Sequence, residues 1–246
     1  MKKTTVITSG TSGIGKEIVK KLLLKSKNKD DLFIVNYGHN DYQAECLLAE
    51  LSIEDKNKVI LVKADMSTYE GIKIIEDVLK KSERMIDWLI LNTGISSYLP
   101  FDEYTPELWE HIMRTNVSVP VFLIKALLPY FKDGGSIVCM GSHAGQETYS
   151  SSLVYSVSKA AVLFMARSFV KILENKQIRI NAIAPGFIET KWQKNRSLES
   201  RERIEKKIAL HRFGKPEEVA NLCCHILENE YLNGSIFDIH GGYNYF

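Results

Sequence analysis

A tyrosine and a lysine four positions apart, with a serine upstream, are the residues whose types and spacing best suit chemistry. They are Tyr155 and Lys159, in Tyr-Ser-Val-Ser-Lys, and Ser142. Positions i and i+4 share one face of a helix, so Tyr155 and Lys159 would point into the same space. A free phenol has a pKa of about 10, and a neighbouring ammonium favours the phenolate and lowers that pKa. With the serine hydroxyl on the same substrate oxygen, the three side chains could add or remove a proton there.

An amphipathic helix with an ordinary tyrosine and lysine has the same spacing, so the proton-transfer interpretation depends on the surrounding elements. Short apolar, β-branched runs alternate with helical patterns along the chain. The predicted strands are Thr4–Thr8, Leu32–Asn36, Val59–Lys63, Trp88–Asn92, Ser136–Met140, Ile178–Ile183 and Ser235–Ile239. The predicted helices are Gly13–Lys25, Asp41–Leu51, Tyr69–Lys80, Pro106–Phe131, one around Tyr155 and Lys159, and Pro216–Leu227. Because strands that alternate with helices form parallel sheets, we expect one doubly wound α/β domain over residues 1–246.

The composition excludes several classes of function. The 246 residues carry a net charge of +2, which gives no electrostatic case for binding nucleic acid or a membrane. No signal-peptide pattern follows Met1, and no segment approaches the ~20 apolar residues that span a bilayer. The four cysteines have neither Cys-x-x-Cys spacing nor histidine partners. We therefore expect a cytoplasmic protein with reduced cysteines, no metal site, and neither nucleic acid nor membrane as a partner.

A glycine-rich stretch, Thr8-Ser-Gly-Thr-Ser-Gly-Ile-Gly15, follows the first predicted strand and opens the first helix. Such a loop turns tightly and lets a pyrophosphate rest on the helix N-terminus. Gly10-x-x-x-x-Gly15-Lys16 also resembles the phosphate loop of nucleoside triphosphatases, but Glu17 stands where that loop has a magnesium-binding Ser or Thr. A tight turn without a ligand is the third interpretation. The position of the loop favours dinucleotide binding.

Together these motifs resemble those of the short-chain dehydrogenase/reductase family, along essentially the whole chain. The family's Thr-Gly-x-x-x-Gly-x-Gly motif corresponds to Thr8–Gly15, with Ser9 in place of the first glycine. Its Asn-Asn-Ala-Gly motif corresponds to Leu91–Gly94, in which Asn92 and Gly94 are kept. Leu91 and Thr93 depart from the second motif. The replacement of the first glycine by Ser9 puts the shape of the glycine-rich turn in question, while the order and spacing of the motifs agree with the family.

Three further segments carry the resemblance into the second half of the chain. Arg179–Thr190 is similar to the segment that closes over the nicotinamide in this family, and Arg212–Ala220 and Asp238–Gly242 are typical of its C-terminal third. The resemblance implies a single Rossmann-type domain with a parallel seven-stranded sheet and helices on both faces. It also implies a flap over the substrate at about residues 187–213.

The resemblance assigns the family's catalytic group to Asn116, Ser142, Tyr155 and Lys159. Tyr155 would be the general acid in reduction and the base in oxidation. Lys159 would lower the pKa of Tyr155 and hold the nicotinamide ribose, and Ser142 would donate a hydrogen bond to the substrate oxygen. Asn116 is either an ordinary polar residue within a helix or, as in the family, a kink whose side chain and carbonyl hold a water leading to Lys159.

The resemblance also implies a set of cofactor contacts, at the glycine-rich loop, the strand ends and the segment after the sixth strand. They are Ser9, Gly10, Ser12, Gly13, Ile14, Gly15, Asn36, Tyr37, Asp65, Met66, Asn92, Gly94, Tyr155, Lys159, Pro185, Gly186, Ile188 and Thr190. Asp65 could instead cap the end of a strand. No acid that would repel a 2′-phosphate ends the second strand, in Val35-Asn-Tyr-Gly-His-Asn40, so we expect NADP to be preferred over NAD.

Within the family, Pro185–Thr190 and the Gly-Gly near the C-terminus are most similar to the beta-ketoacyl-acyl-carrier-protein reductase branch. This implies reduction of a 3-oxoacyl, carrier-bound or similar keto substrate by NADPH. Polyol, sugar and small-ketone dehydrogenases share the same motifs, and a non-catalytic dinucleotide-sensing regulator is an alternative of another class. The predicted substrate contacts are Ser96, Ser142, His143, Tyr155 and Phe187.

The segment after Thr190 is basic, and the chain ends in an aromatic tail. The basic residues are Lys191, Lys194, Arg196, Arg201 and Arg203. They could meet an acidic carrier protein or a phosphorylated substrate, or they could form a solvated helix diluted by nearby glutamates. The family commonly forms tetramers, so a homotetramer or dimer is expected, with the tail from Tyr243 to Phe246 buried against a neighbour.

Overall fold

A computed structural model describes residues 2–148, 152–194 and 196–243. Within them, seven strands form one sheet in the order β3-β2-β1-β4-β5-β6-β7, and every neighbouring pair is parallel. The strands are β1 Thr4–Ile7, β2 Leu32–Tyr37, β3 Val59–Lys63, β4 Ile86–Leu91, β5 Phe131–Met140, β6 Arg179–Pro185 and β7 Ile236–Ile239. This is the doubly wound Rossmann-type sheet that the sequence predicted.

The strands are joined by helices, nine of them α-helices in the described part of the chain. They are α1 Gly13–Lys25, α2 Asp41–Glu50, α3 Ile53–Lys56, α4 Tyr69–Ser82, α5 Pro106–Met113, α6 Val119–Leu127, α7 Leu153–Leu173, α8 Leu198–Glu205 and α9 Pro216–Glu228. The predicted helix Pro106–Phe131 is divided, because a π-helical turn, Arg114–Ser118, joins α5 to α6. The short helices α3 and α8 were not predicted.

Helices cover both faces of the sheet, as the apolar strands indicated. In β1, Val6 packs into a core with residues of α4, α6 and α7, whereas Ile7 packs into a second core with residues of α1 and α9. Both side chains have no exposed surface. Because helices cover both faces, the carboxyl ends of the strands stay accessible, and ligands bind at these ends in folds of this type.

Two helical regions of the described chain, Pro106–Tyr130 and Leu153–Lys176, are long and apolar enough to cross a membrane. The sequence analysis expected no such segment. Core helices of soluble proteins meet the same criterion, and these two supply Leu123 and Val162 to the core beneath the sheet. Both helical regions therefore bury apolar side chains against the sheet.

The largest shift in a strand boundary is at β5, which begins at Phe131 and not at the predicted Ser136. Phe131 pairs with Ile86, and the register then shifts before Trp88 pairs with Ser136. The Gly134-Gly135 pair lies inside the strand at this irregularity. The other predicted strand ends agree with the structure to within two residues.

Candidate active site

The glycine-rich loop between β1 and α1 is held by two asparagines, the buried Asn36 and the half-buried Asn92. The Asn36 side chain accepts a hydrogen bond from the Ser9 amide (3.2 Å) and donates to the carbonyl of Ala64 (2.8 Å). The Asn92 side chain donates to the Ser9 carbonyl (3.0 Å). A Cβ added at Gly15 would lie 2.6 Å from Asn92 Nδ2. Gly15 is therefore needed for close packing inside the loop, and Asn36 ties the loop to the sheet.

Two of the three departures from the family motifs, Ser9 and Thr93, contact each other. Ser9 stands where the family has glycine and has a left-handed φ of 50°, a conformation that costs free energy for a residue with a side chain. Its hydroxyl lies 2.8 Å from the hydroxyl of Thr93. The two exceptions thus form one hydrogen bond across the loop, and the turn keeps the left-handed geometry that a glycine would supply.

The loop fits the pyrophosphate of a dinucleotide. Helix α1 begins at Gly13, its N-cap residue Ser12 makes no side-chain capping bond, and its first turn carries no acid. The first amide groups of a helix are free to bind an anion, and the helix dipole favours negative charge there. Lys16, the lysine of the possible phosphate loop, is instead bound to Glu50 (2.6 Å). This ion pair removes the main feature that favoured a triphosphatase.

The catalytic group predicted from sequence comes together beside this loop. Tyr155 and Lys159 lie one turn apart on α7, with the Lys159 ammonium 5.8 Å from the centre of the Tyr155 ring. Ser142 follows β5, is 7% exposed and forms a hydrogen bond with Tyr155. Lys159 is 3% exposed and donates to the Met140 carbonyl (2.7 Å). Gly94 leaves room for Lys159, because a Cβ there would lie 3.0 Å from its ammonium.

Asn116 lies in the π-helical turn and is buried. Its side chain accepts a hydrogen bond from the Ile95 amide and donates to the Ile95 carbonyl and to the Ser158 hydroxyl, each at 2.9 Å. The Ser158 hydroxyl in turn donates to the Tyr155 carbonyl (2.8 Å). The predicted kink is therefore present, but the side chain links the β4 loop to α7. Only the Asn116 carbonyl is left for the relay to Lys159, which stays a prediction.

Burial shifts both catalytic pKa values toward the neutral form. It raises the pKa of Tyr155 to about 12, against the smaller opposing effect of the Ser142 hydrogen bond. It lowers the pKa of Lys159 to about 8. The sequence analysis expected Lys159 to lower the pKa of Tyr155, whereas in the protein alone burial outweighs any such effect. At neutral pH Tyr155 is thus a protonated phenol, ready to donate its proton.

Two cavities meet at Ser142 and Tyr155, and both residues line each of them. The first cavity, of about 300 Å³, extends along the glycine-rich loop. Most of the predicted cofactor residues line it, namely Ser9, Ser12, Gly13, Ile14, Asn92, Gly94, Tyr155, Lys159, Pro185, Gly186, Ile188 and Thr190. The first cavity therefore joins the anion site at α1 to the catalytic group.

Several predicted cofactor residues lie outside the first cavity. Besides Gly15 and Asn36, which hold the loop, Gly10 packs against Val35, and Met66 is buried in the core. The Asp65 carboxylate accepts a hydrogen bond from the Ser67 amide (2.8 Å), as the alternative of a strand-end cap predicted. The Tyr37 hydroxyl donates to Asp41 (3.0 Å). Adenine binding near Asp65 stays a prediction. Asn36, which was predicted as a cofactor contact, instead holds the glycine-rich loop through its side-chain hydrogen bonds.

The second cavity, of about 370 Å³, lies under the segment 187–213. Of the predicted substrate residues, Ser96, Ser142, Tyr155 and Phe187 line it. His143 does not, since its ring is buried and stacks on His240, with ring centres 4.2 Å apart. The prediction that His143 faces the substrate is therefore corrected.

Sequence reasoning also missed residues that line the second cavity. Trp192 lies edge-on to Tyr155, with ring centres 5.7 Å apart, and Gln193 is buried beside it. Both follow Thr190 directly, and the short 3₁₀ helix that they form, Lys191–Gln193, gave no periodic signal. The remaining missed residues are Ala144, Ser152, Ile204, Lys207 and Tyr243. Tyr98, which follows the predicted contact Ser96, also lines this cavity, as do Arg196 and Arg203 of the basic segment described in the sequence analysis.

Comparisons with known proteins agree with this site. The family model described as enoyl-(acyl carrier protein) reductase matches residues 9–244. Glucose 1-dehydrogenase 2 of Bacillus subtilis (strain 168) is 30% identical over 248 residues, which cover 98% of this chain and 94% of that protein. The 3-oxoacyl-acyl-carrier-protein reductase FabG of Thermotoga maritima is 34% identical over 174 residues, 69% of this chain and 70% of that one.

Among solved structures, a short chain dehydrogenase family protein from Francisella tularensis aligns with a TM-score of 0.84 and 27% identity over 99% of both chains. This chain belongs to the short-chain dehydrogenase/reductase family. It is an NAD(P)-binding oxidoreductase with a Rossmann-type fold.

Proposed function

We propose that the protein uses NADPH to reduce the keto group of a 3-oxoacyl or similar keto substrate. The meeting of the two cavities at Ser142 and Tyr155 carries this proposal, because one side can hold the nicotinamide and the other the substrate. Polyol, sugar or small-ketone oxidation is the alternative within the family. In reduction the Tyr155 phenol would donate the proton, and in oxidation the phenolate would accept it.

In this mechanism the bound nicotinamide supplies the hydride, and side chains of the protein supply the proton. The Tyr155 hydroxyl donates its proton to the substrate oxygen as negative charge develops there. The Ser142 hydroxyl donates a hydrogen bond to the same oxygen. Lys159, whose ammonium lies beside Gly94 at the floor of the first cavity, is placed to hold the nicotinamide ribose and to stabilise the phenolate.

The surroundings of Tyr37 support the preference for NADPH. Asp41 is the nearest acid in sequence beyond the end of β2, and its carboxylate binds Lys63 (2.6 Å) and the Tyr37 hydroxyl (3.0 Å). These partners lower the pKa of Asp41 and occupy the carboxylate that would otherwise be free to accept the ribose hydroxyls. Since Lys63 offsets the charge of Asp41, this pair would not repel a 2′-phosphate as an unpaired acid would.

The proposal is tested by following nicotinamide absorbance with a panel of 3-oxoacyl thioesters, small ketones and sugars. We expect NADPH to be consumed with keto substrates, with a higher kcat/KM than NADH. A strong NADH preference would overturn the cofactor assignment, and oxidation of polyols without keto reduction would favour the alternative. A dinucleotide-sensing regulator would bind NADPH without turnover of any substrate.

We also propose that the protein is cytoplasmic and assembles as a homotetramer or dimer. Helices α6 and α7 carry exposed aromatic side chains, with Phe122 44% and Phe164 69% exposed. Exposed apolar side chains on neighbouring helices are typical of surfaces that bind another subunit. Tyr243 is buried against Phe187 of its own chain, and Tyr245 and Phe246 of the predicted tail lie outside the described residues.

A further inference from the structure

Three basic side chains line the second cavity, opposite the catalytic group. They are Arg196, Arg203 in the last turn of α8, and Lys207 just beyond that helix. Arg203 and Lys207 are exposed at the rim, whereas Arg196 is half-buried. No acidic residue of the described chain lines this cavity. The wall facing Tyr155 thus carries positive charge without a matching negative charge.

Arg196 is fixed in place by neutral groups. Its Nε donates to the Gln193 side chain (2.9 Å), and one terminal nitrogen donates to the Ser200 hydroxyl (3.2 Å). Its guanidinium carbon lies 5.5 Å from the centre of the Phe187 ring. These contacts orient the guanidinium without neutralising its charge. An oriented, uncompensated guanidinium is suited to bind a carboxylate or phosphate.

Other cations of the same segment are neutralised, which distinguishes them from this group. Arg201 binds Glu189, and Arg212 binds Glu218 (2.6 Å). In contrast, no carboxylate among the described residues lies within 4.0 Å of the charged nitrogens of Arg196, Arg203 or Lys207. The unpaired cations of this segment thus include the ones that line the cavity.

The two arginines also act on the aromatic wall of the cavity. Burial raises the pKa of Tyr243, and the positive charges of Arg203 and Arg196 oppose that shift. Both guanidinium groups are therefore close enough to act on the Tyr243 hydroxyl. Tyr243 lines the same cavity as the two arginines.

We propose that Arg196, Arg203 and Lys207 bind an anionic group of the substrate, a carboxylate or a phosphate, while its keto group faces Tyr155 and Ser142. This inference rests on the proposed reductase function and adds the charge of the substrate. A cavity of about 370 Å³ has room for a small anionic ketone. Because the cations line that cavity together with the catalytic residues, we favour a small anion over the surface of an acidic carrier protein.

The first measurement is binding to the enzyme saturated with NADP⁺, which carries no hydride to reduce the probe, and it is read as a shift in Tm. The probes are two matched pairs: acetoacetate and its ethyl ester for a carboxylate, and dihydroxyacetone phosphate and dihydroxyacetone for a phosphate. We expect the anionic member of at least one pair to raise the Tm more than its neutral partner. The pair that does so distinguishes a carboxylate from a phosphate.

The second measurement uses matched variants. Arg196→Gln and Arg203→Gln should weaken binding of the preferred anion about 10- to 100-fold, the usual effect of losing a charged hydrogen bond. Binding of NADPH by both variants should change less than about 3-fold, since neither arginine lines the first cavity. Lys206→Gln, which removes a neighbouring cation outside the second cavity, should change neither anion binding nor NADPH binding. Retained NADPH binding shows that each variant is folded.

Different results would overturn the proposed anion site and the proposed reductase function. If neither anion binds more tightly than its neutral partner, or if the arginine variants bind both members as the wild type does, the anion site is wrong. Loss confined to a substrate on an acidic carrier protein would also overturn it, because the cations would then serve protein docking. If no keto compound oxidises NADPH while anions still bind selectively, the reductase function fails and the anion site stands.

Discussion

Tyr155 and Lys159 are one helical turn apart, yet their pKa values are set mainly by burial and not by each other. The phenol is held protonated, with a pKa of about 12, and the ammonium is weakened, with a pKa of about 8. The pair was predictable from its spacing, because i and i+4 positions share a helix face. The rise in the Tyr155 pKa could not be predicted from the sequence, because the desolvation that causes it depends on the cavity walls.

The shifted pKa of Lys159 should make the stability of the cofactor-free protein depend on pH. A lysine with a lower pKa in the folded state leaves more protons on the unfolded state between about pH 8 and 10.5, so stability rises with pH across that window. Relative to Lys159→Met, the free energy of unfolding of the wild type should rise by ~1–3 kcal/mol from pH 7.5 to pH 10. Urea denaturation at several pH values measures it, and a constant difference would contradict it.

The Ser9–Thr93 hydrogen bond should couple these two departures from the family motifs. Thr93→Ala removes the partner of the Ser9 hydroxyl and should lower the free energy of unfolding by ~0.5–1.5 kcal/mol. In a Ser9→Gly background, the same substitution should have almost no effect, since the left-handed turn then holds a glycine without a hydroxyl. Urea denaturation of the wild type, the two single variants and the double variant measures the coupling free energy between Ser9 and Thr93. Additive effects on the free energy of unfolding would show that this contact does not contribute to stability.

At the scale of elements, apolar runs predicted the strands, because a strand buried on both faces must be apolar throughout. Helix α8 was missed because it is charged on most sides and buries only Ile204. It depends on local capping, with the Ser197 side chain accepting from the Ser200 amide (3.2 Å). Asn36 was assigned to the cofactor because sequence cannot show that its side chain turns inward to hold the loop.

The π-helical turn should be as important for stability as for catalysis. Asn116→Ala removes three hydrogen bonds and leaves both backbone groups of Ile95 without this partner, so the free energy of unfolding should fall by ~1–3 kcal/mol. The link through Ser158 to α7 would also loosen, and kcat should fall more than KM rises. Asn221→Ala, at an exposed position of α9, is the control. Equal stability of both variants would show that Asn116 does not hold α7 in place.

At the scale of the whole molecule, the parallel doubly wound sheet and the position of the site followed from the alternating pattern and the glycine-rich loop. The sequence does not show which surface meets another subunit, because large exposed apolar residues occur on several elements. Phe164 on α7 is 69% exposed, and Leu24 on α1 is 80% exposed. Our proposed assembly uses α7, where exposed apolar residues continue through Val157 and Leu153.

Phe164→Glu should therefore shift the protein toward smaller species in size-exclusion chromatography with light scattering. A buried charge at an interface is costly because it loses its hydration. Leu24→Glu, an equivalent change on α1, should leave the assembly unchanged. A monomeric wild type would refute the assembly, and unchanged mass for Phe164→Glu would place the interface elsewhere.

The central claim is that Tyr155 transfers the proton in NADPH-dependent keto reduction. Replacing it with phenylalanine keeps the ring and removes only the hydroxyl. We expect Tyr155→Phe to lower kcat by at least ~1,000-fold, while the Kd for NADPH, measured by fluorescence titration, changes less than ~3-fold. Tyr130→Phe, whose hydroxyl binds Glu76 away from the site, should keep full activity. Appreciable turnover by Tyr155→Phe would contradict the account.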